Sequence, residues 1–207
     1  MKVILVNGSP KEHGCTYTAL SECAKTLTEN GIEAEIFWVG NAPVRGCLGC
    51  GSCVKNGKCF DDSDRVNAFV QASQTADGFI FGSPVHYAAA SGMLSSFMDR
   101  AFYSGGKYLR GKPAAAVVSC RRGGASAAFD EINKYFTINS MPVVSSQYWN
   151  QVHGSTPDDV RQDAEGMQTM RTLARNMAWL LKCIEAGRTG GIEFPQPEPI
   201  IRTNFIR

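Results

Sequence analysis

The sequence predicts an α/β domain of three layers, α/β/α, around a five-stranded parallel sheet in the order 2-1-3-4-5. Three observations carry this. Short apolar runs alternate along the chain with segments whose apolar residues recur at helical spacing. Strict alternation of strand and helix calls for right-handed crossovers and hence a parallel sheet. A chain of 207 residues is long enough to bury one such core.

Residues 2–6 hold Val3, Ile4, Leu5 and Val6 ahead of Gly8, the signature of a strand buried on both faces. Residues 16–30 follow as an amphipathic helix, with Leu20, Cys23, Ala24 and Leu27 on one face and Gly31 as its stop. Residues 34–39 form the second strand, and a cysteine-rich loop occupies 40–60, its thiols within 46–60. A helix carrying Val66, Phe69 and Val70 starts near Ser63 or Asp64. The third strand, 78–82, is broken by Ser83-Pro84. Residues 91–103 turn Met93, Leu94, Phe97, Met98 and Phe102 inward as a helix. Lys112-Pro113 precedes the fourth strand, 114–119, and Gly123-Gly124 precede a helix through Phe129 and Phe136. Residues 142–146 start the fifth strand, Pro157 opens a last helix running to Ala186, and 187–207 form a Pro-containing tail. The division is therefore one domain, 1–186, and a tail.

A net charge of +2 with mixed signs argues against nucleic acid or a membrane surface as partner. The apolar run near the start is too short for a signal peptide or a membrane span, and no later run is longer. A cytoplasmic protein is expected. There thiols stay reduced, so the eight cysteines are not read as a disulfide framework.

Parallel sheets of this order place ligands at the carboxyl edge, where the loops after strands 1 and 3 diverge. The first loop, from Gly8 to Thr18, lacks a dinucleotide fingerprint and a P-loop ending. It offers hydroxyls, Lys11 and a helix N-terminus, which suit a phosphate dianion. The plainer use is a helix start capped by Thr16 or its neighbour. After the third strand, His86 and Tyr87 suit a flat aromatic ligand or ordinary surface. The fourth strand ends in Ser119-Cys120-Arg121-Arg122-Gly123-Gly124, a Gly-rich turn at the same edge. Together the three loops look like an FMN site.

Gly8-Ser9-Pro10 with Gly14 and Thr16, then Gly82-Ser83-Pro84-Val85-His86-Tyr87 ahead of a helix containing Met98-Asp99-Arg100, resemble the NADPH-dependent FMN reductase family over most of residues 1–154. The insertion Cys47-x2-Cys50-x2-Cys53-x5-Cys59 is similar to the compact cysteine motif of the iron–sulfur flavoproteins in that superfamily. The resemblance implies a flavodoxin-like fold, FMN, and homodimers or homotetramers that complete the flavin pocket from a neighbouring subunit. By position it implies phosphate contacts from Ser9, Lys11, Cys15 and Thr16. It implies ring contacts from Pro84, Val85, His86 and Tyr87, with Ser119, Arg121 and Gly124 on the other side. Cys15 stands where such reductases often carry Asn, which points to a backbone contact there. The segment from Trp149 to Gly154 resembles part of the family and is given no role, and neither are the isolated His13 and His153.

Zinc sites usually pair two Cys-x-x-Cys knuckles across ~12–20 residues. Here three cysteines recur every third residue and a fourth follows, closer to ligation of a [4Fe–4S] cluster. Zinc and free, redox-active thiols remain alternatives. Cys23 and Cys183 read as core residues, Cys120 as structural, and Asp61, Asp62 and Asp64 as helix-capping residues rather than ligands. The expected activity is that of an FMN-dependent NAD(P)H oxidoreductase, with His86 and Tyr87 as catalytic residues against the ring. Its acceptor is a small molecule or a ferredoxin-like protein. The rivals are an iron–sulfur flavoprotein electron carrier and a thiol-based redox sensor.

Overall fold

The computed structural model describes residues 1–205. In chain order the elements are β1 (Lys2–Asn7), α1 (Cys15–Glu29), β2 (Glu33–Trp38), α2 (Ser52–Asn56), α3 (Val66–Ser73), β3 (Gly78–His86), β4 (Ala89–Ala90) and α4 (Gly92–Leu109). They continue with β5 (Ala114–Cys120), α5 (Ala125–Ile138), β6 (Gln151–His153), α6 (Pro157–Gln162) and α7 (Ala164–Thr189). The sheet runs β2-β1-β3-β5-β6, and every pairing along that path is parallel. The two-residue β4 folds back antiparallel on the end of β3. With β4 set aside, this is the 2-1-3-4-5 order expected from the alternation.

Side chains alternate across the sheet and divide the core into two layers. Ile4, Val6, Phe79, Phe81 and Val118 face α3, α4 and α5. Val3, Leu5, Ile80 and Val117 face α1 and α7. The first layer is aromatic: Phe69 packs against Phe37, Phe79, Phe81 and Phe97 with ring centroids 5.3–5.9 Å apart. Small residues bring the helices close. A Cβ on Gly82 would meet Thr16 and Leu20 of α1 at 2.8 Å.

Several boundaries differ from expectation, with α4 running past 103 to Leu109 and α2 lying within the cysteine loop. β3 continues through Pro84 to His86 because β1 ends at Asn7, opposite Gly82. At Pro84 itself β3 is paired with β5 alone, so the missing N–H costs no ladder bond. Residues 142–146 contribute only an isolated bridge, Ala114 to Val143, and the fifth strand of the ladder is Gln151–His153. The intervening chain leaves the sheet around Ser146, whose hydroxyl donates to the Tyr148 carbonyl at 2.6 Å and bonds Asn150 Oδ1 at 2.7 Å. The last helix is two helices. Asp163 ends α6 and caps α7, its Oδ1 accepting from the Gly166 N–H at 2.9 Å.

Candidate functional site

The loops after β1, β3 and β5 meet at the carboxyl edge and enclose a cleft of about 210 Å³. Ser9, Lys11, Cys15 and Thr16 line one wall, Pro84, Val85 and His86 a second, and Ser119, Cys120 and Arg121 a third. Tyr87 does not line it and stands fully exposed. Gly124 is absent from the lining too, but it shapes the wall.

Asn7, buried at the end of β1, organises the first loop. Its Oδ1 accepts from the Ser9 N–H at 3.1 Å and its Nδ2 donates to the Glu12 carbonyl at 2.9 Å. Ser9 Oγ accepts from the Lys11 N–H at 3.1 Å, while the Trp38 indole donates to the Ser9 carbonyl at 2.8 Å. Thr16 is not the cap of α1. That position belongs to Gly14, which offers no side chain, so the first-turn N–H groups have no side-chain cap. The Thr16 hydroxyl instead bonds Ser119 Oγ at 2.8 Å. Burial pushes the Cys15 thiol pKa up, and its Sγ lies 3.8 Å from the Gly154 carbonyl.

The second wall is a tight hairpin from β3 to β4. Tyr87 and Ala88 both have positive φ, 49° and 62°, which non-glycine residues rarely adopt. Glu131 of α5 holds the turn by accepting from the Ala90 N–H and the Ser95 hydroxyl, each at 2.9 Å. Gly124, at φ 91°, lets α5 begin against it. A Cβ there would lie 2.6 Å from Ala88 Cα. Asn7 and Glu131 escaped the sequence reading. Asn7 sits directly before Gly8-Ser9, a turn signal, whereas nothing local distinguishes Glu131 from a surface residue of α5.

The four clustered cysteines border a separate, largely apolar pocket of about 190 Å³ with Leu48, Phe60 and Tyr103. All four are free thiols, and Gly49, Gly51 and Gly57 have positive φ. Among the described residues no three thiol, imidazole or carboxylate groups gather tightly enough to hold a single metal ion. The four thiols border one pocket together. Their donor chemistry suits a cluster, whose four ligands are spread over its corners. Buried Arg100 anchors this loop: its Nε donates to Cys59 Sγ at 3.2 Å, one terminal nitrogen pairs with Asp64, and the other donates to the Asp61 carbonyl at 2.8 Å. Asp64 also accepts from the Val66 N–H at 3.1 Å, but the cap position of α3 is Arg65, with no side-chain cap bond, so the capping expected of the three aspartates is not what the structure shows.

The sequence model of the family described as NADPH-dependent FMN reductase matches residues 1–155. The chain belongs to this family. An iron–sulfur flavoprotein of Methanocaldococcus jannaschii is 34% identical over 195 residues, covering 89% of this chain and 100% of the relative. One from Methanosarcina thermophila is 27% identical, covering 91% and 99%. A solved archaeal flavodoxin superposes with a TM-score of 0.61 at 14% identity, covering 88% of this chain and 99% of its own. That likeness shows the flavodoxin-like fold. Family and relatives together make the chain a flavin oxidoreductase in the general sense. No helix among the described residues is long and apolar enough to cross a membrane.

Proposed function

We propose that this member of the family is an FMN-dependent NAD(P)H oxidoreductase. The observation that carries the reading is the convergence of three loops on one cleft. Ser9, Lys11, Cys15 and Thr16 take the phosphate, where hydroxyls, an ammonium and a helix N-terminus without a side-chain cap suit a dianion. Pro84, Val85 and His86 take one side of the ring and Ser119 and Arg121 the other, while Gly124 lets α5 begin against the second wall and Tyr87 meets the ring of a neighbouring subunit. Bound FMN supplies the hydride chemistry. The chain's residues bind it, orient it and leave one shared face for the nicotinamide and then the acceptor. That acceptor is a small molecule or a ferredoxin-like protein. Tyr87, exposed in the single chain, fits a homodimer or homotetramer in which neighbouring subunits complete each other's clefts. A cytoplasmic location belongs to the same proposal.

A second reading concerns the electrons' exit. Four thiols bordering one pocket at ferredoxin-like spacing favour a [4Fe–4S] cluster held by Cys47, Cys50, Cys53 and Cys59. Such a centre would take electrons singly and make the protein an iron–sulfur flavoprotein carrier. The visible spectrum of anaerobically purified protein tests both readings. Flavin bands over a broad shoulder that bleaches with dithionite support both. Flavin bands alone remove the cluster, and a colourless chain that takes up no FMN removes the central reading.

A further inference from the structure

Cys120 and His153 are register partners at the ends of β5 and β6, with Sγ and Nδ1 3.4 Å apart. They face different spaces. Cys120 lines the cleft, whereas His153 lines a neighbouring polar cavity of about 200 Å³ bordered also by Tyr148, Asp163 and Glu165. The histidine backbone is pinned in place. Its N–H donates to Asp163 Oδ2 at 2.7 Å, while the Gly154 N–H donates to the Cys120 carbonyl at 3.0 Å.

Cys120 is 6% exposed, and its Sγ also lies 3.6 Å from the Arg122 carbonyl as a donor. Burial, with the charge of Asp163 adding to it, pushes its ionisation up. A thiol that keeps its proton is a poor nucleophile but remains a proton carrier.

We propose that Cys120 and His153 form a proton relay between the cleft and the polar cavity, supplying the proton that accompanies each hydride taken up in the cleft. This rests on the flavin reading above. In the step, the Cys120 S–H bond breaks and its proton passes into the cleft. The His153 Nδ1–H bond then breaks and the S–H bond re-forms. As the Nδ1–H bond breaks, Nε2 takes a proton from solvent through the cavity beside Asp163 and Glu165, and a flip of the ring returns an N–H to Sγ before the next turnover. One proton crosses for each hydride, no electrons leave the pair, and the nicotinamide provides the electron pair. Lys11 and Arg121 on the cleft side, with Asp163 and Glu165 on the cavity side, are the charged groups that face the relay.

The test uses the full chain, loaded with FMN and flavin-free. In Cys120→Ala and His153→Gln, FMN content is expected to match the parent while the rate of reduction by NAD(P)H falls about 100-fold. Cys120→Ser keeps an exchangeable proton and retains part of the rate. Free imidazole restores His153→Ala but not Cys120→Ala. In the flavin-free chain, peptide-resolved alkylation of Cys120 is faster in the parent than in His153→Gln, since a ring nitrogen 3.4 Å away can take the thiol proton. Undiminished reduction rates with FMN retained, or equal alkylation rates of Cys120 in both chains, overturn the relay alone. A parent chain that takes up no FMN overturns the flavin reading and the relay with it.

Discussion

Thr16 on α1 and Ser119 at the end of β5 share a hydrogen bond of 2.8 Å across 103 residues of sequence. Both are buried, at 1% and 3% exposure, so neither hydroxyl has water as a ready substitute. The bond ties the cleft wall that follows β1 to the wall at the end of β5.

Replacing Thr16 with Val leaves the Ser119 hydroxyl buried without its partner. We expect a loss of about 1–3 kcal/mol. The double variant Thr16→Val/Ser119→Ala should recover part of it, because no orphaned group remains. Urea unfolding of the four chains of the cycle gives the coupling, and strictly additive losses would show that the hydroxyls do not act as a pair.

Arg100 and Asp64 form an ion pair whose side chains are 2% and 4% exposed. Arg100→Leu strands the carboxylate in the protein and should destabilise the fold by about 3–5 kcal/mol. It also removes the donor to Cys59 Sγ. Alkylation of Cys59 in the folded variant should therefore be faster than in the parent. Lower stability with unchanged Cys59 reactivity would mean that the loop does not depend on Arg100.

Substitution of Tyr87 tests binding apart from folding. The residue is fully exposed at the tip of the hairpin, so Tyr87→Ala should change stability by no more than about 0.5 kcal/mol. FMN retention or the rate of reduction should nonetheless fall. Gel filtration followed by flavin absorbance measures the retention, and parental flavin content and rates would remove Tyr87 from the site.

Asp159 gives the fold an acid-sensitive contact at the start of α6. The Ser155 and Thr156 N–H groups, each 2.9 Å from its Oδ2, hold its carboxyl pKa below the ordinary aspartate value. The unfolded chain therefore binds the proton first. The contribution is fully present above pH ~4 and is lost as pH falls through the lower folded value. Thermal unfolding between pH 5 and pH 2 should show a steeper loss in the parent than in Asp159→Asn. Parallel curves would contradict the linkage.

The alternation of apolar runs and amphipathic segments made the sheet order legible, because burial on two faces leaves a continuous apolar strand and burial on one leaves a helical stripe. The glycines and prolines after β1, β3 and β5 likewise marked the edge where the cleft lies. Where local pattern competed with context, the reading slipped. Pro84 looked like a strand breaker, yet β1 had already ended beside it. Val143 and Val144 looked like strand residues, yet the ladder closes at Gln151–His153 after a turn held by the Ser146 hydroxyl.

By itself the sequence determined the fold class, the edge carrying the cleft and the presence of a four-cysteine insertion. Those features follow from periodicity and from residues close together in the chain. Only the tertiary structure decided that Thr16 meets Ser119, that Glu131 holds the strained turn at Tyr87 and Ala88, that Arg100 reaches Cys59, and that Cys120 stands against His153. These contacts join residues 33 to 103 positions apart. Their existence depends on strand order and register, and those are settled when the whole core packs.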